Sequence, residues 1–454
     1  MGKKKRRRQA DLWVASSQLA RSPGHPFYEA LNEVLSEHGF DDFVEELCGK
    51  FYAEKMGRPS VAPGVYFRLL MVGYFEGIGA ERGIAWRVAD SLALREFLGL
   101  KVSETPPDHS TISRTRRLID VQTHAAVFSW VLERLAESEL LKGKTIGIDA
   151  TTLEANAAMR TIIRRDTGED YNQFLTGLAQ ASGIETPTRE DLVRTDRKRK
   201  KKGSNKEWKH PHDADARITK MKDGRTHLAH KAEHAIDMET GAIVAVTVQG
   251  ADKGDTTTLK ETLIRAAENI EEATGQKKEM AEVVADKGYH STETVKDFAA
   301  LQIRSYISEP KRGRRKWKGN IEGRDATYAN RRRIRGERGR ELLRRRGEKL
   351  ERAFAHLYRT GGMRRTEVRG HDNVAKRLLI QAGAFNLGMV MRKKLGAGTP
   401  RALHARILCA LLAFFGLRKG LTRRISTFFE GLIGKLSIGP FPGGPRPKSV
   451  SGPN

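Results

Sequence analysis

Two short apolar runs in this chain each stop at an aspartate: TIGIDATTLEA carries Asp149, and AEVVADKGYH carries Asp286. Further on, the basic stretch RRRGEKLERAFAH offers a third carboxylate, Glu351. An aspartate at the carboxyl end of a buried strand is held rigidly while its carboxylate emerges at the sheet edge, where open α/β sheets bind ligands. Two such acids with a third on a helix meet the needs of a divalent-metal phosphoryl-transfer site. Magnesium takes hard oxygen ligands, few of them carboxylates, and leaves its other positions to water and phosphate. If the two strands lie side by side, the aspartates share one ion or hold two about 4 Å apart. Leu350 and Leu357 give the glutamate's helix an apolar face to dock on the sheet, which turns Glu351 inward. Taken singly, each acid reads as a cap, a turn or a surface charge. Their joint placement points to metal chemistry.

The composition points the same way. Among 454 residues, 83 Lys+Arg stand against 56 Asp+Glu, a formal net charge of +27. A surplus of this size is self-repelling without a partner, and each phosphate it neutralises releases condensed counterions, so a polyanion is the expected partner. Cys48 and Cys409 form no CxxC or Cys/His pattern, which excludes a disulfide framework and a structural zinc site. No apolar segment of signal-peptide length follows the basic start MGKKKRRRQA, and ARILCALLAFFG is too short to span a bilayer. The expectation is a soluble protein of a reducing compartment, the bacterial cytoplasm, associated with the nucleoid and with no membrane partner.

The elements that must position the acids follow from periodicity. Residues 1–25 read as a basic arm, with a helical region over 26–143 in which apolar residues recur at three- and four-residue spacing. Near its end, PPDHSTISRTRRLID stops one element at its prolines and opens another that Asp108 or Ser110 caps. Its face carries Ser113, Arg114, Arg116 and Arg117, the pattern of a helix-turn-helix reader or of a solvated surface helix. From residue 144 the period becomes strand-like. TIGIDATTLEA, THLAHKAEHAIDM and AIVAVTVQGA are followed by helices alternating with AEVVADKGY and IRSYISEP. The prediction is an α/β fold, a mixed sheet with crossover helices over 144–395. Basic insertions interrupt it at 156–225 and at 311–346. The tail, 396–454, ends Pro/Gly/Ser-rich and reads as partly disordered.

Several other residues have chemistry of their own. His210, His212, Asp213 and Asp215 in HPHDADAR are of metal-ligand type, but Pro211 and the strand that follows favour a polar turn. Asp237 reads as a turn carboxylate, Asp252 as a loop acid and Asp255 as a helix N-cap. Lys287 follows the second aspartate and is placed to contact phosphate. Trp208 and Trp317 lie in basic insertions, where an aromatic either stacks on an unpaired base or builds a small local core.

Over residues 25–395 the chain resembles bacterial insertion-sequence transposases of the DDE type. The resemblance rests on the order and spacing of VYFRLLMVGYFEGIGAERGIAWRVADSLALREFLGL, PPDHSTISRTRRLI, GIDATTLEANA, HKAEHAIDMETGAIVAVTVQGADKGD, VADKGYHS, ERAFAHLYRTGGMRRTEVRG and FNLGMVMRK. It implies an RNase H-like catalytic domain preceded by an all-helical DNA-binding region. It also implies Asp149, Asp286 and Glu351 as ligands of two Mg²⁺ or Mn²⁺ ions, and a homodimer acting on double-stranded DNA at terminal inverted repeats and target. Phosphate contacts are expected from Arg114, Arg116, Arg117, Lys287, Arg344, Arg345 and Arg359, and base stacking from Trp317.

The third motif departs from that of the largest group of such enzymes, Tyr, two residues, Arg, three residues, Glu, six residues, Lys. Taking Glu351 as the glutamate puts Gly347 at the arginine place and Tyr358 at the lysine place; taking Glu348 puts Arg344 and Ala355 there. Arg344, Arg345, Arg346 and Arg359 lie close enough to supply the charge. The Glu-Arg-x-Phe context favours Glu351. A non-catalytic DNA-binding repressor and a metal-dependent nuclease without strand transfer are the alternative functions.

Overall fold

The computed structural model describes residues 24–53, 60–199, 203–221, 224–277, 279–311, 313 and 315–419. The basic arm up to residue 23, the lysines at 200–202 and the end of the tail lie outside the described residues. The chain up to Pro400 packs as one unit, and Arg401 opens a second.

Seven helices come first: α1 Pro26–Glu37, α2 Phe40–Cys48, α3 Pro63–Glu76, α4 Glu81–Ala89, α5 Leu92–Phe97, α6 His109–Leu118 and α7 Val121–Glu137. Their starts are set by local chemistry. Pro63 occupies the first turn of α3, where its missing N–H costs nothing. Asp108 caps α6 by accepting from the Thr111 N–H at 2.7 Å, and Asp120 caps α7 through Thr123 at 2.7 Å.

The sheet is built on β1, Thr145–Glu154. An insertion follows with β2 Ile163–Arg164, α8 Tyr171–Ala181, α9 Arg189–Lys198, β3 Trp208–Lys209 and β4 Arg217–Lys220. Then come β5 Thr226–Asp237, β6 Ile243–Gly250, α10 Asp255–Thr274, β7 Glu282–Ala285, α11 Thr292–Ala300 and β8 Arg304–Ile307. β1 pairs antiparallel with β5 on one side and parallel with β7 on the other, and β7 pairs parallel with β8. The outer edge of β5 is shared, its first four residues by β4 and the stretch from His230 to Ile236 by β6. Ile146 and Ile148 of β1 are fully buried. Between them Gly147 leaves room for Met238, whose Sδ would collide with an added Cβ.

Helices α12 Ile321–Arg335 and α13 Glu337–Phe354 occupy most of the stretch expected to interrupt the sheet. Some of its arginines are internal ties: Arg315 and Arg331 pair with Glu309, and Arg333 donates to the Ser305 carbonyl. A π-helical turn, Ala355–Thr360, ends α13. Next is α14, His371–Leu395, which is buried nearly all round and packs against α3, α7 and β6. The division expected at residue 143 is therefore bridged, because α14 and α10 both pack on α7. The last described helix is α15, Pro400–Lys419. Among the described residues, no helix is long and apolar enough to cross a membrane.

The first insertion has a small core of its own. Ala155, Ile162, Trp208, Ala216 and Leu228 are buried together, and Tyr171 and Phe174 meet the Trp208 ring edge-on at 5.1 and 5.2 Å. Trp208 is thus a core residue. Asp213 and Asp215 tie this insertion to the main body. Asp213 accepts from His230 at 3.1 Å and from the Gly370 N–H at 3.2 Å, while Asp215 accepts from the His371 N–H at 3.0 Å.

Candidate active site

The parallel register of β1 and β7 pairs Thr145 with Glu282, Ile146 with Val283 and Gly147 with Val284. Two residues beyond that last pair, on each chain segment, stand Asp149 and Asp286. Neighbouring strands are about 4.8 Å apart, so the two aspartates stand side by side. Asp286 lies just past the end of β7 as expected, but Asp149 does not end its strand, because β1 runs on to Glu154 against β5. Burial pushes the Asp149 carboxyl above its usual range and the charge of Asp286 adds to this, against the pull of Arg346 and of the Ala150 N–H. Two like charges on neighbouring strands call for a cation.

In the chain itself that cation is Arg346 of α13. Its Nη1 donates to Asp149 Oδ2 at 2.9 Å, with the arginine side chain 15% and the aspartate 30% exposed. Arg346 Nε is buried with no hydrogen-bond partner. The same helix is fastened eight residues earlier, where Arg338 donates to both oxygens of Glu282 at 3.0 and 2.5 Å. Eight helical residues span about 12 Å and the four strand residues from Glu282 to Asp286 about 13 Å, so the two arginines reach the two ends of the strands.

Asp286 opens a 3₁₀ turn, Lys287–Tyr289, accepting from the Lys287 N–H at 2.6 Å. The turn is anchored from behind. Tyr289 donates its hydroxyl to Glu233 at 2.9 Å, and Thr258 and Thr262 donate to the same carboxylate at 2.7 and 2.5 Å. Glu233 is fully buried on β5. Beside it, Lys231 reaches Asp255 at 2.6 Å. Asp255 is the first residue of α10 rather than its cap, which is Gly254. A Cβ on Gly288 would lie 2.5 Å from Asp255 Oδ2, so any side chain there would have to push the Asp255 carboxylate away.

On the opposite face of β5, His234 lies directly across from Asp149 in the register. It shares a short hydrogen bond through Nε2 with the Tyr358 hydroxyl, and Phe354 packs edge-on at 5.1 Å. Burial lowers the His234 pKa to about 3, which keeps the ring neutral.

Glu351 is exposed on α13, five residues beyond Arg346 and hence about 140° around the helix from it. Glu348 is also exposed and pairs with Arg352 at 3.0 Å. Among the described residues, no three His, Cys, Asp or Glu side chains are gathered closely enough to hold a metal ion. The structure therefore brings together the two aspartates and leaves the glutamate apart from them.

The expected phosphate contacts divide. Arg114, Arg117, Lys287, Arg344 and Arg359 are exposed. Arg345 is half-buried and donates to the Met238 carbonyl at 3.3 Å. Arg116 corrects the expectation: it is 7% exposed and its Nε is bound to Glu81 at 2.7 Å, because it points from α6 into the interface with α4. Trp317 is half-buried, with the Arg315 guanidinium over its ring at 5.5 Å and Tyr328 at 6.2 Å. Asp237 is a turn carboxylate, accepting from the N–H groups of Lys142, Gly143, Glu239 and Thr240.

Tyr289 and Glu233 are site neighbours that the spacing of the acids does not reveal, whereas Arg346 is one of the arginines beside the third motif expected to supply its charge. The trace of Glu233 in the sequence is HKAEHAID, a strand segment unusually rich in charge and imidazole.

Two family models match the chain. Residues 16–118 match a transposase domain (DUF772), and residues 188–387 match a transposase DDE domain. The second match includes Asp286 and Glu351 and begins beyond Asp149. No match is found among curated proteins.

Proposed function

Because the chain belongs to the insertion-sequence transposases of the DDE type, we propose that it cleaves DNA at terminal inverted repeats and joins the freed ends to target DNA. Asp149, Asp286 and Glu351 are the proposed catalytic carboxylates. One observation carries the reading: Asp149 within β1 and Asp286 just past the end of β7 stand at the same level of neighbouring parallel strands, held from behind by the β5 network. The order β6-β5-β1-β7-β8, three antiparallel strands and then two parallel ones, supports an RNase H-like catalytic domain.

The donor set suits Mg²⁺ or Mn²⁺, since two hard carboxylates repel each other and already draw a cation from the chain. Divalent ions held by Asp149 and Asp286 would, when bound, supply the charge that activates an attacking water or 3′-hydroxyl and stabilises the leaving oxygen. The protein's part is placement. Asp149 is fixed by β1 and Asp286 by its turn, while Glu351 is proposed as the third carboxylate on its Glu-Arg-x-Phe context alone. Lys287 stands next to Asp286 for a phosphate, and the exposed Arg114, Arg117, Arg344 and Arg359 track the duplex. Processing two ends together calls for a homodimer on DNA.

The test is cleavage of a repeat-end duplex in Mg²⁺ by the wild type and by Asp149→Ala, Asp286→Ala, Glu351→Ala and Glu348→Ala. The first three are expected to lose cleavage and the fourth to keep it. Retained cleavage in either aspartate variant overturns the site. Pre-cut ends then test joining: hydrolysis without strand transfer makes the protein a nuclease instead.

A further inference from the structure

Helix α13 makes two arginine–carboxylate pairs with the sheet, and they are built differently. Arg338 donates twice to Glu282, whose oxygens also receive Thr145 at 2.7 Å and Tyr306 at 3.2 Å. Arg346 makes a single bond to Asp149, and its Nε has no partner. The first pair is bidentate and its acid is saturated, the geometry of a permanent tie. The second leaves both partners with unused capacity.

We propose that Arg346 is a displaceable counter-ion of the catalytic aspartates: it holds Asp149 in the metal-free protein and releases it when a divalent ion binds. The inference rests on the reading of Asp149 and Asp286 as metal ligands. Three features favour exchange over a fixed pair. The helix is anchored without Arg346, by Arg338 and by the buried Leu342, Leu350 and Ala353, so the guanidinium swings while α13 stays in place. Asp149 is 30% exposed, which leaves solvent a way to the carboxylate. The released guanidinium remains at the mouth of the site, where its planar fork suits a phosphodiester oxygen pair.

Competition of this kind lowers the apparent metal affinity to the intrinsic one multiplied by the fraction of time the carboxylate is free. Removing Arg346 therefore tightens metal binding up to about fivefold, the range expected for a partly exposed ion pair.

The experiment is Mn²⁺ titration of the full chain without DNA, followed by the free-ion electron paramagnetic resonance signal. Wild type is compared with Arg346→Met, Arg346→Gln, Arg345→Met and Asp286→Asn. Arg345→Met removes the same charge one residue away without touching Asp149, so it reports the general field effect. The expected result is weaker binding in Asp286→Asn, tighter binding in both Arg346 variants, and a smaller change in Arg345→Met. Arg346 variants that match the wild type or Arg345→Met overturn the exchange while leaving the metal site standing. Unchanged Mn²⁺ binding in Asp286→Asn instead sinks the metal site itself. If both Arg346 variants fail to fold, the pair is structural and the proposal is wrong.

Discussion

The Tyr289 hydroxyl donates to the buried Glu233 at 2.9 Å, and this bond ties the turn that begins at Asp286 to the strand that runs beside Asp149. Glu233 is otherwise satisfied by Thr258 and Thr262, with Lys231 3.6 Å away. Tyr289→Phe removes one donor and little volume, so the fold survives while Asp286 loses its support. Outer partners of metal-ligating carboxylates are worth about 10- to 100-fold in affinity or activity. The expected outcome is a drop of that size in cleavage rate, with repeat-end binding in the absence of metal unchanged. Equal rates in the two proteins count against a positioning role for Tyr289.

Arg338 and Arg346 make opposite predictions although they share a helix. Glu282 is 2% exposed and would keep only Thr145 and Tyr306 once Arg338 is gone. Arg338→Met should lower unfolding free energy by about 2 kcal/mol, the loss expected when a buried carboxylate forfeits a charged donor. Urea unfolding measures it, with the exposed Arg340→Met as the comparison that should leave the midpoint in place.

The strands are legible in the sequence because β-branched runs and an apolar rhythm are strong local signals, and the two aspartates stand out as the places where those runs stop. Other features depend on how elements dock, which local patterning does not specify. Arg346 faces Asp149 only because α13 lies along the sheet in one particular phase. The arginine-dense stretch before residue 346 reads as an interruption because few apolar residues, Ala326 and Leu342 among them, mark its helical period. Contact across residue 143 is not legible locally because α14, buried nearly all round, packs on the N-terminal helices and the sheet alike. Arg116 and Arg117 are neighbours of one type, and only the packing of α6 on α4 makes one internal and the other exposed.

That difference can be measured. Arg117→Ala and Arg114→Ala are expected to weaken DNA binding modestly across sequences, each lowering the salt slope by about 0.9 if it contacts one phosphate. Arg116→Ala leaves the largely buried Glu81 without its guanidinium and is expected to lower the melting temperature. A normal melting temperature for Arg116→Ala with a reduced salt slope would return this residue to the DNA interface.

Two buried histidines set a pH window for stability. Burial lowers the pKa of His124 and of His234 to about 3, from an ordinary value of 6.5. His124 is held between the Asp120 carbonyl at 2.7 Å and the Tyr66 hydroxyl at 3.0 Å; His234 has the Tyr358 hydroxyl. Between those two pKa values the unfolded chain binds protons that the folded chain refuses. Stability is therefore full above about pH 6.5 and falls as the pH drops toward 3, by about 1.4 kcal/mol per pH unit for each histidine. Melting temperatures taken from pH 7.5 down to 4.5 should fall steadily. His234→Gln, which cannot titrate, should start lower at neutral pH and then fall less steeply. A slope equal to that of the wild type would mean that His234 takes no part in the acid sensitivity.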